Sequence, residues 1–459
     1  MEPQILSSYN PATGLEIKQY KSLTAEQVGK NLKKAHKAYT QWRSSAMKER
    51  TALLRSVAKS IRKHSDAAAL LATREMGKPI AQSRAELEKC AKTFEYYATE
   101  GPRMLQDELI FSEGKRKGYV SFQPIGVVLA VMPWNFPYWQ VFRAMAPVLM
   151  SGNAMVLKHA SNVSGCAMMI EKIMKDAGVP AHLYQTLLIA SSAVASVIAA
   201  PEVAAVTFTG STAAGRKVAS VAADNLKKQV LELGGSDAYL ILEDADVAEA
   251  ARMCLEARMI NTGQSCVAAK RFIAVKSVRK SFEAALSELI KQVTYGNPED
   301  PAQQIGPMAR PDLRKELHSQ VTDSIAAGAR LLHGGFIPEG PGAYYPPTLL
   351  TNVKPGMPAY SEELFGPVAV IIEAKDEADA IRIANSSEYG LGGAVFSRNR
   401  KRAEKIAREL LDAGSCFVNE AVHSDPRLPF GGVKHSGYGR ELSSFALREF
   451  VNIKTVVLG

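Results

Sequence analysis

The fold class follows from residues 204–215, which read Ala-Ala-Val-Thr-Phe-Thr-Gly-Ser-Thr-Ala-Ala-Gly. The apolar first half predicts a strand, and Ser211 stands where a helix continuing to Ala223 would have its N-cap. A strand that runs through a glycine into a helix is typical of a parallel sheet with crossover helices. The start of such a helix attracts anions such as a diphosphate, but the usual G-x-G-x-x-G pattern is absent, so the segment alone indicates a cofactor site only weakly.

The alternation of strands and helices extends on both sides of this segment. Residues 25–105 read as helices with a break at Gly77-Lys78-Pro79, and short apolar runs predict strands from residue 126 onward. The predicted strands are 126–132, 154–157, 187–190 and 204–209, with a helix at 164–177, and then 271–275, 369–372 and 393–396. We therefore expect an α/β protein whose two halves join near residue 234.

Length and composition set the broad class. The 459 residues exceed one ordinary domain, and the content of 46% hydrophobic and 22% charged residues is typical of a soluble globular protein. The N-terminus lacks the pattern of a secretory signal, and no apolar run is long enough for a membrane span. The five cysteines show no C-x-x-C pair and no metal-ligand spacing. These features predict a cytoplasmic protein with free thiols, no metal site and no membrane partner.

The net charge of +10 raises the question of nucleic-acid binding. Basic residues are interspersed with acidic ones, and we find neither a recognition helix nor an aromatic-interleaved basic stripe. The basic surface is therefore interpreted as solvated, with a mild field that attracts an anionic substrate or cofactor.

Three further segments contain candidate catalytic groups. Cys266 stands in a polar, glycine-containing stretch, where a nucleophilic thiolate could form, although most lone cysteines are buried hydrophobes. Glu232 lies between two leucines, where apolar surroundings would raise its pKa and suit a general base; a solvent-facing strand end is the alternative. Asn135 lies between two prolines and two aromatic residues, and its amide either stabilises an oxyanion or caps a turn.

The order of these segments resembles the aldehyde dehydrogenase superfamily over essentially the whole chain. One such motif would be weak evidence, whereas six in the same order make coincidence negligible. The matching motifs are 133–137 (Pro-Trp-Asn-Phe-Pro), 208–211 (Phe-Thr-Gly-Ser), 231–235 (Leu-Glu-Leu-Gly-Gly), 263–266 (Gly-Gln-Ser-Cys), 363–367 (Glu-Leu-Phe-Gly-Pro) and 429–432 (Pro-Phe-Gly-Gly). The closest resemblance is to the short bacterial-type succinate-semialdehyde dehydrogenases.

The resemblance implies a covalent mechanism on Cys266. Its sulfur would attack the aldehyde carbon, with the Asn135 amide and the Cys266 backbone N–H stabilising the oxyanion. Loss of hydride to the nicotinamide would leave a thioester, and Glu232 would activate the water that hydrolyses it. The residues that the resemblance assigns to cofactor binding are Trp134, Lys158, Ser161, Gly210, Ser211, Leu233, Glu363 and Phe365.

Position 161 is expected to set the choice between NADP and NAD. Family members that prefer NAD often carry a glutamate three residues after the lysine that matches Lys158, and this carboxylate repels the 2′-phosphate of NADP. The chain has Ser161 there instead. We therefore expect NADP to be preferred and NAD to be accepted.

Two residues are expected to recognise the substrate. Arg143 matches an arginine that binds the substrate carboxylate in succinate-semialdehyde dehydrogenases, and its planar fork suits that group; an arginine on a solvated helix face is the alternative. Ser424 matches a serine of the same anion site. A second arginine of some relatives is replaced by Ile260, a loss for which Arg258 or Arg427 could compensate.

The expected reaction is oxidation of succinate semialdehyde to succinate. Glutarate semialdehyde, another ω-carboxy aldehyde or a general aliphatic aldehyde is the alternative substrate. Many relatives have a proton-relay lysine where this chain has Ala144, which leaves the proton route open. A cysteine hydrolase or acyltransferase, a coenzyme-A-acylating enzyme and an inactive relative remain alternative functions.

The family's fold implies a domain organisation for this chain. Residues 1–105 and 125–233 would form a Rossmann-type cofactor-binding domain, 106–124 an oligomerisation flap, and 234–434 an α/β catalytic domain. Residues 435–459 would return to the first domain and end in an oligomerisation strand. A homodimer or homotetramer is expected.

Overall fold

The computed structural model describes residues 4–459, in which strands and helices alternate along most of the chain. The strands are β1 (Ile5–Tyr9), β2 (Glu16–Lys21), β3 (Glu108–Glu113), β4 (Arg116–Pro124), β5 (Val127–Met132), β6 (Ala154–His159), β7 (Tyr184–Thr186), β8 (Val203–Thr209), β9 (Lys228–Glu232), β10 (Ala238–Ile241), β11 (Arg271–Val275), β12 (Arg330–His333), β13 (Thr348–Thr351), β14 (Val368–Ala374), β15 (Tyr389–Gly390), β16 (Gly392–Phe396), β17 (Ser415–Val418), β18 (Val433–Lys434), β19 (Gly437–Tyr438) and β20 (Val451–Leu458).

The helices cover the faces of the sheets formed by these strands. They are α1 (Ala25–Trp42), α2 (Met47–Lys63), α3 (Ser65–Met76), α4 (Ile80–Met104), α5 (Trp139–Met150), α6 (Ser164–Asp176), α7 (Val194–Ala199), α8 (Thr212–Asp224), α9 (Val247–Met259), α10 (Lys276–Ile290), α11 (Pro311–Ala326), α12 (Pro358–Ser361), α13 (Glu377–Asn385), α14 (Arg400–Lys405) and α15 (Ser443–Glu449). Among residues 4–459, none of these helices is long and apolar enough to span a bilayer.

The first large sheet has six strands in the order β19-β9-β8-β5-β6-β7. All are parallel except β19, which pairs antiparallel with β9 at the edge. Every residue of β5 and β6 is buried, as expected for parallel strands that helices cover on both faces. The chain runs from β5 to β6 and β7 on one side and to β8 and β9 on the other, so β5 marks the switch point where such sheets bind ligands.

The second large sheet has seven strands in the order β12-β13-β14-β11-β10-β16-β17. Only the edge strand β12 is antiparallel among these described strands. Each large sheet lies in its own hydrophobic core, and the chain passes from one sheet to the other between Glu232 and Ala238. The predicted α/β fold class with two halves is confirmed.

A third sheet joins distant parts of the chain in the order β20-β4-β3. The pairing of β4 with β20 is antiparallel and runs from Pro124 opposite Val451 to Lys117 opposite Leu458. Several apolar side chains of this sheet are exposed: Leu109, Ile110, Ile453 and Val457.

The predicted helical region and its break agree with helices α1 to α4. Gly77 caps α3 with a φ of 80°, a left-handed conformation that glycine adopts without strain. One predicted strand was wrong, because residues 187–190 lie after β7 rather than in it. The ladder between β6 and β7 involves only Tyr184–Thr186, and Leu187 and Ile189 are buried outside any strand, so hydrophobicity alone misplaced the strand.

Candidate active site

The two large sheets meet end to end at the candidate active site. Asn135 follows the carboxyl end of β5, Gly210 follows β8, and Glu232 is the last residue of β9. Cys266 lies in the loop before the amino end of β11 in the second sheet. Because parallel strands end at the same edge of a sheet, this topology brings the first three residues together and places Cys266 opposite them.

A cavity of about 570 Å³ lies at this junction. Its wall includes eight of the residues predicted from the sequence: Trp134, Asn135, Gly210, Ser211, Leu233, Cys266, Glu363 and Phe365. Five other predicted residues lie outside this wall: Arg143, Lys158, Ser161, Glu232 and Ser424.

The loop before Cys266 is held in a strained conformation. Asn261, Thr262 and Gly263 have φ angles of 53°, 57° and 71°, and a β-branched residue such as Thr262 rarely adopts this region. The buried guanidinium of Arg258 donates to the carbonyl oxygens of Gly263 and Gly366, each at 2.6 Å. Arg258 therefore supports the loop from inside, and the expectation that it could bind substrate is wrong.

The groups around Cys266 shift the pKa of its thiol in opposite directions. Burial raises the pKa of the Cys266 thiol to about 12, while the positive charges of Lys270 and Arg143 oppose this shift. The Lys270 ammonium donates to the carbonyl oxygens of Cys266 at 2.6 Å and of Ser265 at 2.9 Å. The thiol is protonated at neutral pH, so a thiolate requires a base. Lys270 was not predicted from the sequence, although its position four residues after the nucleophile was a usable signal.

The Asn135 amide lies against the loop that carries Cys266. Its Nδ2 donates to the carbonyl oxygen of Gln264 at 3.1 Å, and the backbone carbonyl of Asn135 accepts from Asn261 Nδ2 at 2.7 Å. A side-chain amide nitrogen carries two hydrogens, so one remains for an oxygen bound next to Cys266.

Glu232 faces the protein interior rather than solvent, with 2% of its surface exposed. Burial raises the pKa of its carboxyl group well above the usual range, and the negative charge of Glu441 adds to this effect. Neither carboxyl oxygen of Glu232 has a hydrogen-bond partner within residues 4–459. Glu441, which the sequence analysis also missed, is buried with a raised pKa and forms an ion pair with Arg143.

Arg143 lies on α5 and is buried, so the alternative of a solvated helix face is wrong. Its Nη2 group pairs with Glu441, and its Nε has no acceptor within the described part of the chain. Ser424 accepts a hydrogen bond from the Lys89 ammonium at 2.7 Å. The exposed Arg427 pairs with Asp425 at 2.6 Å, which leaves it at the surface.

The start of α8 offers N–H groups to a cofactor. The Ser211 side chain caps this helix by accepting from Ala214 N–H, and the N–H groups of Thr212 and Ala213 lie in the first turn, where a helix has no internal acceptors. Both residues line the cavity. This helix start therefore fits a diphosphate.

The opposite wall of the cavity is fixed by close contacts around Glu363. Its Oε1 accepts from Gly235 N–H at 3.1 Å, and a Cβ at position 234 would lie 2.5 Å from its Oε2. A larger residue at position 234 would therefore displace the Glu363 carboxylate. Trp134 and Phe365 pack edge to face, with ring centroids 5.8 Å apart. These residues fit a nucleotide whose ribose hydroxyls reach the Glu363 carboxylate.

Lys158 and Ser161 do not line this cavity but lie in and just after β6. Lys158 is buried at the end of β6, where burial lowers its pKa, and its ammonium donates to Ser191 Oγ at 3.2 Å. Ser161 is exposed at the start of the short 3₁₀ turn Ser161–Val163. Ser191, which was not predicted from the sequence, adds a hydroxyl to this group.

Known proteins resemble this chain over its whole length. The model of the aldehyde dehydrogenase family matches residues 2–456. A succinate semialdehyde dehydrogenase, NAD(P)+, from Escherichia coli K12 is 44% identical over 98% of this chain and 97% of that protein. A probable succinate-semialdehyde dehydrogenase, NADP(+), from Synechocystis is 43% identical over 98% of this chain and 99% of that protein. The crystal structure of succinic semialdehyde dehydrogenase from Streptococcus pyogenes in complex with NADP+ has a TM-score of 0.95 and 36% identity, and covers 98% of this chain and 99% of that one.

Proposed function

The chain belongs to the aldehyde dehydrogenase family, and we propose that it oxidises succinate semialdehyde to succinate with NADP, accepting NAD as a second cofactor. The observation that carries this proposal is the convergence of Cys266, Asn135 and Glu363 on one cavity, with Glu232 buried close by. The names of the most similar relatives support the substrate and the cofactor. Glutarate semialdehyde or another ω-carboxy aldehyde is the alternative substrate.

Cys266 and Asn135 carry the first half of the reaction. The Cys266 sulfur attacks the aldehyde carbon after its proton passes to a base, for which we propose Glu232. The free hydrogen of Asn135 Nδ2 and the Cys266 backbone N–H stabilise the oxyanion. A nicotinamide held by these residues would supply the hydride acceptor, and loss of hydride from the carbon attached to sulfur would leave a thioester on Cys266.

The cofactor is held by both sheets. We propose that Gly210, Ser211 and the first turn of α8 bind its diphosphate, and that Glu363 binds the nicotinamide ribose. The remaining contacts come from the apolar and aromatic side chains of the cavity wall, Trp134, Leu233 and Phe365. Lys158, Ser161 and Ser191 would bind the 2′-phosphate that distinguishes NADP from NAD.

Glu232 carries the second half of the reaction. Glu232 first releases the proton that it took from the thiol, and its unpaired carboxylate oxygens then take a proton from the water that attacks the thioester. We propose Glu441 as the next group in the proton route, because the two carboxyl groups lie close enough for the charge of one to raise the pKa of the other. Such a route replaces the lysine for which this chain has the buried Ala144.

A cysteine hydrolase is the second candidate function, and the cavity argues against it. Among the described residues that line the cavity, His435 is the one histidine. Its Nδ1 lies 2.9 Å from Glu388 and its Nε2 lies 3.2 Å from Arg216, so both ring nitrogens are engaged away from Cys266.

The remaining proposals concern the binding of the substrate carboxylate, the assembly of the subunits and the location of the protein. We propose that Arg143 and Ser424 contact the carboxylate, Arg143 through its free Nε. The domain boundaries proposed from the sequence group β4 and β20 in an oligomerisation flap, whose exposed apolar side chains support a homodimer or homotetramer. The cysteines described are all free thiols, which supports a cytoplasmic location.

The proposal is tested by following NADPH formation at 340 nm with succinate semialdehyde, glutarate semialdehyde and butanal. We expect the highest kcat/KM for succinate semialdehyde and succinate as the product, without a requirement for coenzyme A. Equal kcat/KM values for succinate semialdehyde and butanal would contradict the substrate, and thiol-dependent product without NADPH would favour the hydrolase.

A further inference from the structure

Lys89 is a partly buried lysine that the reaction described above does not use. It lies on α4, and its ammonium donates to Ser424 Oγ at 2.7 Å. The same ammonium lies 4.4 Å from the centre of the Trp139 ring. The Arg143 guanidinium lies 5.9 Å from that ring, so two cations flank one indole at the start of α5. A third polar group, the Ser424 hydroxyl, completes this cluster.

The two cations differ in how their charge is balanced. Arg143 has Glu441 as an internal partner, which offsets its charge. No carboxylate oxygen of residues 4–459 lies within 4.0 Å of the Lys89 ammonium. Lys89 is therefore the cation of the cluster whose charge the protein does not neutralise locally.

The acidic residues closest to Lys89 are already engaged elsewhere. Glu86 accepts from two backbone N–H groups at the start of α5 with one oxygen and pairs with the buried Lys78 through the other. Asp425 forms two hydrogen bonds with the Arg427 guanidinium. Neither carboxylate is free to turn toward Lys89 without leaving another polar group unpaired.

This arrangement is costly for a lysine unless it serves an anion. Burial, and to a smaller extent the positive charge of Arg143, lower the pKa of Lys89 to about 8, although Cys90, Asp425 and Glu86 act in the opposite direction. A protonated ammonium with limited solvent and no carboxylate partner gains most from an anionic ligand. The positive charge of Arg143 also lowers the pKa of the Cys266 thiol, so one member of the cluster acts electrostatically on the nucleophile.

We infer that Lys89 binds the distal carboxylate of the aldehyde substrate, together with Ser424 and the free Nε of Arg143. Lys89 contributes a positive charge that has no carboxylate partner in the protein, whereas the planar guanidinium of Arg143 orients the substrate carboxylate. The inference rests on the proposed oxidation of an ω-carboxy aldehyde and names the residue that selects the carboxylate. Nothing in the sequence near Lys89 indicates this role, because α4 and the loop of Ser424 are 335 residues apart.

The test compares two aldehydes of equal chain length, succinate semialdehyde and butanal, in the K89M variant. We expect kcat/KM for succinate semialdehyde to fall by about tenfold to a hundredfold, mainly through KM, because a charged hydrogen bond is lost. For butanal it should change by less than about threefold. K89R should recover most of the loss. K92M is the matched control: Lys92 lies on the same helix, is 68% exposed and lies 4.0 Å from Glu88.

The pH dependence gives a second readout that a structural role would not produce. In the wild-type enzyme, KM for succinate semialdehyde should rise as Lys89 loses its proton above about pH 8, and KM for butanal should not. In K89M this rise should vanish. Asp425, whose pKa is held near 2 by Arg427, and Cys90, whose thiol pKa is raised far by burial, do not titrate in this range.

The outcomes separate this inference from the proposed function. If wild-type enzyme does not prefer succinate semialdehyde over butanal, the substrate proposal fails before any variant is made. If the preference holds but K89M lowers kcat/KM equally for both aldehydes, or for neither, Lys89 does not bind the carboxylate. If K89M folds poorly, the K89Q and K89R variants are used instead, and the inhibition of their butanal oxidation by succinate is measured. Equal inhibition constants for K89Q, K89R and the wild-type enzyme would overturn the inference.

Discussion

The Lys270 ammonium lies 3.2 Å from Glu363 Oε1, while also donating to the carbonyl oxygens of Ser265 and Cys266. One buried cation thus connects the loop of the nucleophile with the carboxylate proposed to bind the nicotinamide ribose. We therefore expect Lys270 to affect both the pKa of the Cys266 thiol and the binding of the cofactor.

Replacing Lys270 with glutamine should raise both the thiol pKa and KM for NADP. The Cys266 thiol loses the charge that opposes the effect of burial, and Glu363 loses a partner that orients it. The rate of alkylation by iodoacetamide, measured from pH 7 to 10, should therefore shift to higher pH. K270R should restore the profile, and K276Q, at an exposed lysine of α10, should not change it. An unchanged profile in K270Q would exclude this electrostatic role.

Replacing Ser161 with glutamate should reverse the cofactor preference. A carboxylate near Lys158 would repel the 2′-phosphate of NADP and accept the ribose hydroxyls of NAD. We expect kcat/KM for NADP to fall by about a hundredfold, with a change below about threefold for NAD. S161Q has nearly the same size without the charge and should retain most of the NADP activity. A similar loss in both variants would mean that size, not charge, sets the preference.

The sequence was sufficient for the parts of the site that lie at strand ends. Asn135, Gly210 and Glu232 each follow or end a parallel strand, so local patterns and one topological rule bring them together. The polar, glycine-containing loop of Cys266 left a buried cysteine as the alternative, and the resemblance of six ordered motifs to the aldehyde dehydrogenase superfamily identified it as the nucleophile.

The parts that could not be predicted depend on contacts between distant segments. Glu441 pairs with Arg143 from nearly 300 residues along the chain, and Lys89 meets Ser424 across an even longer separation. No local pattern encodes such pairs, because each partner looks like an ordinary charged residue of a helix or loop. Residues 187–190 show that the same limit applies to strands, because Leu187 and Ile189 are buried there outside any strand.

His159 should make the stability of the protein depend on pH. Burial lowers its pKa from 6.5 to about 4, and its neutral ring bonds Pro137 O through Nε2 and Ala160 N–H through Nδ1. The unfolded chain binds a proton more readily, so the stabilisation is present above about pH 6.5 and is lost as the pH falls toward about 4. This loss amounts to about 3 kcal/mol.

Urea unfolding at several pH values between 4 and 7 measures this dependence. In H159Q, where the amide can still donate to Pro137 O, the pH-dependent loss should shrink by about 3 kcal/mol. H36Q removes an exposed histidine of α1 and should leave the slope unchanged. Identical slopes for wild type and H159Q would show that other groups cause the pH dependence.

Replacing Glu232 with glutamine should separate the two halves of the reaction. The amide cannot accept a proton from water, so hydrolysis of the thioester should slow by about a hundredfold to ten thousandfold. If hydride transfer still occurs, rapid mixing should show a burst approaching one NADPH per subunit and then little turnover. The raised pKa of Glu232 also predicts that wild-type kcat falls as the pH is lowered through that pKa, because only the carboxylate acts as a base. E232Q should lack this dependence. If E232Q gives no burst, while alkylation of Cys266 proceeds normally, Glu232 is needed before the thioester forms, as the base that takes the proton of the thiol.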